Sequence, residues 1–86
     1  MAYLNNNEDN YDTFRYQMLA RLKQDCDYFL GNGCGHEKFL CYGSVSLHIK
    51  EMKTLHDLFA QDKKPHWLTI ADIEDYERQM LSAKAI

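Results

Sequence analysis

The sequence predicts a small all-α domain of three helices, with a long glycine-containing loop between helices one and two. Three observations support this class. Apolar residues recur at intervals of three and four, a single proline interrupts the chain, and three of the four glycines fall at 31–35. The 86 residues are enough for one core. We expect a flexible tail at 1–10, one three-helix domain at 11–82 and a C-terminal tail at 83–86.

Helix one is predicted near residues 12–30, after a polar, asparagine-rich stretch that has nothing to bury. Gly31 is the expected stop, because glycine adopts the left-handed backbone conformation without steric cost and commonly closes helices. Asn32 and Gly33 are then typical of a tight turn. The predicted buried face consists of residues at three- and four-residue spacing: Phe14, Met18, Leu22, Cys26 and Phe29.

The loop at 31–43 is too apolar to be fully solvated, because Phe39, Leu40, Cys41 and Tyr42 follow one another. We therefore expect it to fold back over the end of helix one. Two interpretations remain open. The simpler is a lid that completes the core, and the other is a recognition surface that displays aromatic residues between glycine hinges.

Helices two and three are predicted from their capping residues and apolar stripes. Ser44 is a suitable N-cap for helix two, which should end before Pro65, because a proline pushes the preceding residue out of the helical conformation. Helix three should follow Thr69 and run to about Ser82, with Asp72 completing a capping box. The predicted buried residues of these helices are Val45, Ile49, Met52, Leu55, Phe59, Ile70, Ile73 and Met80.

Trp67 is the only tryptophan, and it lies just before helix three. We expect its ring to anchor this entry against the other two helices, so that truncation to alanine costs about 3–5 kcal/mol. Leu68 and Ile73 should form a hydrophobic staple at the same helix start. Within helix three, Glu74 and Arg78 are expected to pair one turn apart.

The formal charge of −3 is concentrated in the predicted third helix, where four acids face a single arginine. Such a chain lacks the clustered basic field that non-specific nucleic-acid binding requires. It also contains no apolar run of membrane-spanning length and no signal-peptide pattern, so we expect a cytoplasmic protein without membrane contact. Three cysteines cannot all pair with one another, and we expect free thiols.

Cys34, His36 and Cys41 are zinc-ligand types in a glycine-rich loop, with Cys26 upstream. Their spacing does not match the pairs, about two to four residues apart, of structural zinc sites, so we predict no metal and no cofactor. Cys26 falls on an apolar helix face, where a thiol behaves as a small hydrophobe. No cysteine, histidine or carboxylate set has a spacing specific to catalysis, and we predict that the chain is not an enzyme.

Several stretches carry a family resemblance: DCDYFLGNG at 25–33, KFL at 38–40, HIKEMKTL at 48–55 and KPHWLT at 64–69, followed by Asp72, Ile73, Tyr76, Glu77 and Met80. In this order they resemble the large polyvalent protein-associated domains, which occur in phages and in conjugative elements of Gram-positive gut bacteria. The resemblance implies an accessory role in a mobile genetic element and assigns no catalytic residue. Cys34, His36 and Cys41 lie where other residue types are expected in such domains.

We therefore predict a non-enzymatic module that docks another protein of the mobile element or of its host. The alternative is a nucleic-acid-binding accessory protein that uses Lys50, Lys53, Lys63 and Lys64. A related possibility is an inhibitor of host defence whose acids mimic phosphates. The candidate interaction surface comprises Phe39, Tyr42, Asp72, Asp75 and Glu77. The residues assigned to a structural signature are Cys26, Gly31, Gly33, Trp67, Thr69 and Asp72.

Overall fold

The computed structural model describes the backbone of residues 2–85 and the side chains of residues 12–85. It contains three α-helices, namely α1 (Ala2–Leu30), α2 (Val45–Asp57) and α3 (Ile70–Ala83), with short 3₁₀ helices at Glu37–Phe39 and Gln61–Lys63. The described backbone has no strand, which confirms the all-α prediction. Within it, no helix combines the length and the apolar character of a membrane span. Met1 and Ile86, which belong to the predicted tails, lie outside the described residues.

α1 begins at Ala2, so the predicted helix start near residue 12 is wrong. The stretch before residue 12 is polar but contains neither glycine nor proline, and its residues each cost a helix at most about 0.7 kcal/mol relative to alanine. Apolar periodicity therefore located the packed part of α1 and missed the helical backbone before it. The division into tails at 1–10 and 83–86 around a domain at 11–82 stays a prediction.

All three helices contribute to one core. α2 and α3 have 13 and 14 residues against 29 in α1, so they cover only part of its apolar stripe. Phe14 lies outside the covered part and is 59% exposed, which contradicts its predicted burial. Ile70, in the first turn of α3, is also exposed against prediction. The buried apolar residues are Leu19, Leu22, Cys26, Phe29, Leu40, Val45, Ile49, Met52, Leu55, Phe59, Leu68, Ile73 and Met80.

The turn after α1 does not use its glycines as predicted. Positive φ occurs at Cys34 (51°) and Gly35 (77°), and not at Gly31. α1 nevertheless ends at Leu30, directly before the predicted stop, and the Gly31 amide closes the last turn with a bond of 3.0 Å to the Asp27 carbonyl. Gly33 has a steric role instead, because a Cβ there would lie 2.9 Å from the carbonyl oxygen of Tyr28.

The loop between α1 and α2 closes the end of the core, in agreement with the lid interpretation. Leu40 is buried, whereas Phe39 and Tyr42 on either side of it are exposed. A hydrogen bond of 2.8 Å from the Ala85 amide to the Gly35 carbonyl ties the segment after α3 to the same loop. The loop is therefore fixed at two places while its aromatic rings remain at the surface.

Both predicted N-caps are present. The Ser44 hydroxyl accepts a hydrogen bond from the Leu47 amide at 3.2 Å. At α3, the Thr69 amide donates to Asp72 Oδ2 at 2.9 Å and the Asp72 amide donates to Thr69 Oγ1 at 3.1 Å, which completes the capping box. The bond from the Thr69 backbone lowers the pKa of the Asp72 carboxyl, because it stabilises the charged form.

Candidate interaction surface

Trp67 is 45% exposed, so the prediction that it anchors the start of α3 in the core is wrong. Leu68 and Ile73 are both fully buried, as expected for a hydrophobic staple, in which the residue before the N-cap packs inward. Leu68 therefore faces the core, and the adjacent Trp67 lies at the surface.

We expect Trp67→Ala to lower the free energy of unfolding by about 1–2 kcal/mol rather than the about 3–5 kcal/mol of a buried aromatic residue. The residue is already 45% exposed, so truncation removes less apolar burial than it would at a core position. Leu68→Ala is the matched comparison at the adjacent position and should cost about 2–5 kcal/mol. Urea unfolding followed by circular dichroism measures both. A larger loss for Trp67→Ala than for Leu68→Ala would restore the core assignment of the tryptophan.

Trp67 forms a ridge between two grooves. The α1–α3 groove has a volume of about 410 Å³ and is lined by Lys23, Asp27, Leu30, Trp67, Asp72, Asp75, Tyr76 and Gln79. The connector groove has a volume of about 360 Å³ and is lined by Tyr16, Asp62, Lys63, Lys64, Pro65, His66 and Trp67. One exposed aromatic side chain is thus accessible from two concave surfaces.

The α1–α3 groove already holds a cation of the chain itself. The Lys23 ammonium lies 3.3 Å from Asp27 Oδ2 and 5.9 Å from the centre of the Tyr76 ring. The Tyr76 hydroxyl donates to Asp27 at 2.6 Å. Hydrogen bonds with Tyr76 and Asp27 raise the pKa of Lys23, and burial raises the pKa of Tyr76. Carboxylate and ring surfaces of this kind bind cationic side chains.

Two residues of the predicted interaction surface, Asp72 and Asp75, line this groove. Asp72 holds the capping box, and Asp75 accepts hydrogen bonds from Arg78 at 2.8 Å and from Gln79 at 2.6 Å. The pair with Arg78 replaces the predicted pair between Arg78 and Glu74. The pair between Asp75 and Arg78 is exposed, and exposed ion pairs contribute little, so a partner's cation can exchange with Arg78 at small cost.

The other predicted surface residues lie elsewhere. Glu77 faces α2 and pairs with Lys53 at 3.3 Å. Phe39 belongs to the loop after α1, where its ring meets that of Tyr28 edge to face with centroids 5.3 Å apart. Tyr42 lies in the same loop and is exposed. The structure therefore divides the five predicted residues among the α1–α3 groove, the α2 side of α3 and the loop.

Sequence reasoning missed Asp27 and Tyr76 as groove residues. Asp27 belongs to α1, and Tyr76 belongs to α3. The two side chains are bonded although 49 positions separate them in the chain. No local pattern signals such a pair, because it depends on how α1 and α3 pack.

The family of this chain is shown by its sequence rather than by the geometry of the grooves. The family model described as Large polyvalent protein-associated domain 11 matches residues 12–80. The chain belongs to the large polyvalent protein-associated domain 11 family. This confirms the predicted resemblance, and the matched range includes every residue that lines the two grooves. Searches of curated proteins and of solved structures found no match.

The cysteines of this large polyvalent protein-associated domain are free. Cys26 is buried with its Sγ 3.6 Å from Met52 Sδ, and burial raises the pKa of its thiol to about 12, so it stays protonated at neutral pH. Cys34 and Cys41 are exposed. Among the side chains of residues 12–85, no three His, Cys, Asp or Glu residues are placed to share a metal ion.

The four lysines of the nucleic-acid alternative have different surroundings in this domain. Lys53 and Lys63 each pair with a carboxylate, at 3.3 and 3.7 Å. Lys64 donates to two backbone carbonyls at the end of α2, at 2.7 and 3.1 Å, and so caps that helix. Within residues 12–85, Lys50 alone of the four has no such partner. A phosphate backbone would have to compete with three existing sets of contacts.

Proposed function

We propose that this domain is a non-enzymatic interaction module of a mobile genetic element, and that it docks a protein of the element or of its host in the cytoplasm through Trp67. The observation that carries the proposal is the position of the only tryptophan on an exposed ridge between two grooves. Tryptophan is enriched among the few residues that dominate binding energy at interfaces, because its large ring gains much from desolvation.

The chemistry of the α1–α3 groove supports one class of partner segment. The carboxylates of Asp27 and Asp75 are about half exposed and border the groove that Trp67 also lines. The contacts of Lys23 illustrate how an ammonium group binds there. A segment that carries lysine or arginine beside an apolar residue would complement both features. The apolar contact would supply affinity, and the charges would supply orientation and a faster encounter.

A tagged chain used as bait in extract of the native host tests the proposal, with each extract divided into nuclease-treated and untreated halves. We expect one protein at equal yield in both halves and its loss with Trp67→Ala as bait. With the purified partner, Kd should rise by at least about tenfold, the effect of removing a dominant interface residue. Leu47→Ala is the matched control, because Leu47 is an exposed apolar residue of α2 outside both grooves.

Fluorescence gives an independent readout, because all tryptophan emission of the chain comes from Trp67. Docking should shift this emission to shorter wavelength as the ring loses water. Equal affinity of the wild type and Trp67→Ala for the captured protein would overturn the proposal. Capture that disappears with nuclease would favour the nucleic-acid alternative, for which salt-sensitive DNA binding should be abolished by combining Lys50→Glu with Lys53→Glu.

A further inference from the structure

The segment 64–68, which carries Trp67, is attached to the end of α2 at its first and its last residue. Lys64 donates hydrogen bonds to the carbonyls of His56 and Phe59, at 2.7 and 3.1 Å. At the other end of the segment, the His56 ring is hydrogen-bonded to the Leu68 backbone. One residue of α2 therefore contacts both ends of the segment that positions the tryptophan.

The His56 ring is enclosed between α2 and this segment. The residue is only 5% exposed, and its buried Nε2 atom has no hydrogen-bond partner among the described residues. A neutral imidazole carries one N–H donor, whereas a protonated imidazole carries a donor on both nitrogens. A protonated ring in this place would bury a cation with one N–H group unpaired, which is unfavourable. The enclosed arrangement therefore suits the neutral ring alone.

The charges around the ring act in the same direction. Burial lowers the pKa of His56, and the positive charge of Lys64 lowers it further. The hydrogen bond with the Leu68 backbone and the charge of Asp57 raise the pKa, but burial outweighs them. Among the described residues, Lys64 and Asp57 are the charged groups that shift this pKa. The ring is thus neutral at pH 7.

A cavity of about 480 Å³ borders the ring on the side of α3. His66 is the second histidine of its lining, and the start of α3 contributes Thr69 and Ile70, which carry no charge. A cavity of this size admits several water molecules. A His56 ring that turns toward it therefore gains water as the partner of its second N–H group, without unfolding of the core.

The two arrangements of the ring differ in their affinity for a proton. In the released arrangement the ring is hydrated, so its pKa returns to the ordinary value of about 6.5. The pKa of the enclosed ring is lower, so the enclosed arrangement is favoured most above about pH 6.5 and less as the pH falls below it. Uptake of one proton raises the equilibrium constant for release by at most about tenfold per pH unit.

We propose that His56 is a pH-sensitive switch, and that protonation of its ring releases the segment 64–68 from the end of α2 and displaces Trp67. The proton comes from water and binds the unpaired nitrogen. The bond between the ring and the Leu68 backbone then breaks, and repulsion between two cations weakens the contacts of Lys64. A protein docked on Trp67 would be held at neutral pH and released in acid; this consequence rests on the proposed function, whereas the switch itself does not.

NMR and fluorescence of the full-length, isotope-labelled chain from about pH 8 to about pH 5 test the switch without a partner. We expect the amide resonances of the segment 64–68 to shift together with the titration of the His56 ring, at a midpoint below about pH 6.5. Trp67 emission should move to longer wavelength as the ring gains water, while the far-UV circular dichroism of the helices is retained. Titration of His56 without movement of the segment, or movement only when all helical signal is lost, would overturn the inference.

Two matched substitutions assign the transition to one histidine. His56→Gln keeps a polar side chain and removes the titrating group, so the segment should stay in one arrangement throughout the pH range. His66→Gln is the same change at an exposed histidine next to Trp67, and it should leave the transition in place. A transition that persists in His56→Gln, or that disappears in His66→Gln, would contradict the assignment.

The other buried histidine is distinguished by its location. The Nε2 atom of His48 lies 2.9 Å from the Leu22 carbonyl of α1, so its titration would be reported by α1 rather than by the segment 64–68. Acid-induced shifts that begin at the Leu22 amide and reach the segment only later would assign the pH response to His48 and overturn the switch at His56.

The proposed function and the switch can fail separately. A captured protein that binds independently of Trp67, together with a segment that moves when His56 titrates, would remove only the docking role of the tryptophan. Trp67-dependent docking by a chain whose segment does not move down to about pH 5 would remove only the switch.

Discussion

Phe29→Ala should lower the free energy of unfolding by about 3–5 kcal/mol, the largest loss that we expect from a single truncation in this chain. Phe29 is fully buried in the last turn of α1, so truncation of its ring removes buried apolar surface and leaves a cavity. A domain of this size has only about 4–13 kcal/mol in total, so the variant should lose a large fraction of its free energy of unfolding. Urea unfolding followed by circular dichroism measures the change.

Phe14→Ala is the control for this truncation, because it removes the same ring from the same helix at a position that is 59% exposed. We expect it to cost less than about 1 kcal/mol, as for surface substitutions away from special features. Similar losses for the two variants would show that Phe14 belongs to the core after all, as its place in the apolar stripe of α1 suggests.

Gly35→Ala should cost at least about 2 kcal/mol, because it combines backbone strain with an overlap that cannot be relieved by a side-chain rotation. The φ of Gly35 is 77°, and a Cβ there would lie 2.1 Å from the backbone oxygen of Ala83. Relief requires that the loop or the end of α3 move, which would break the hydrogen bond from Ala85 to Gly35. Thermal unfolding and hydrogen exchange of the Ala85 amide report the two effects.

Gly43→Ala is the control that introduces backbone strain without a steric overlap. Its φ is 72°, almost the same as that of Gly35, but no atom lies within 4 Å of the position that its Cβ would occupy. We expect only the cost of the left-handed conformation, about 1–2 kcal/mol. If the two alanine variants lose the same stability and Ala85 exchange is unaffected, then Gly35 does not pack against the end of α3.

Local chemistry is what made parts of this fold predictable. The caps at Ser44, Thr69 and Asp72 are formed by groups within three residues of one another, so the sequence alone contains all of the partners. The buried stripe of α2 was predictable for a similar reason, because its spacing alone defines a face. Leu40 could be assigned to a lid because an apolar run in a loop is unfavourable in water and packs against the core instead.

Features that depend on how far one element extends over another were not predictable. Burial of Phe14 depends on the reach of α2 and α3 along α1, which periodicity does not contain. Trp67 and Leu68 are adjacent apolar residues, and only the packed structure selects which one enters the core. Cys34 adopts a positive φ, which few non-glycine residues adopt. The left-handed conformation was predicted at Gly31 instead, because glycine adopts it without steric cost.

The candidate site illustrates the same limit. Asp72 and Asp75 were predicted from their charge, yet the groove also needs Asp27 from α1 and Trp67 from the connection before α3.

The bond between Ala85 and Gly35 also holds the end of the described chain beside the loop after α1. α3 is about 21 Å long, and Trp67 lies just before its first residue while Ala85 lies just after its last. A chain continuing beyond Ala85 would start beside the loop after α1, one helix length from the docking ridge. A tag fused after the last residue would therefore attach at the end of α3 opposite Trp67, and would leave the proposed docking surface uncovered.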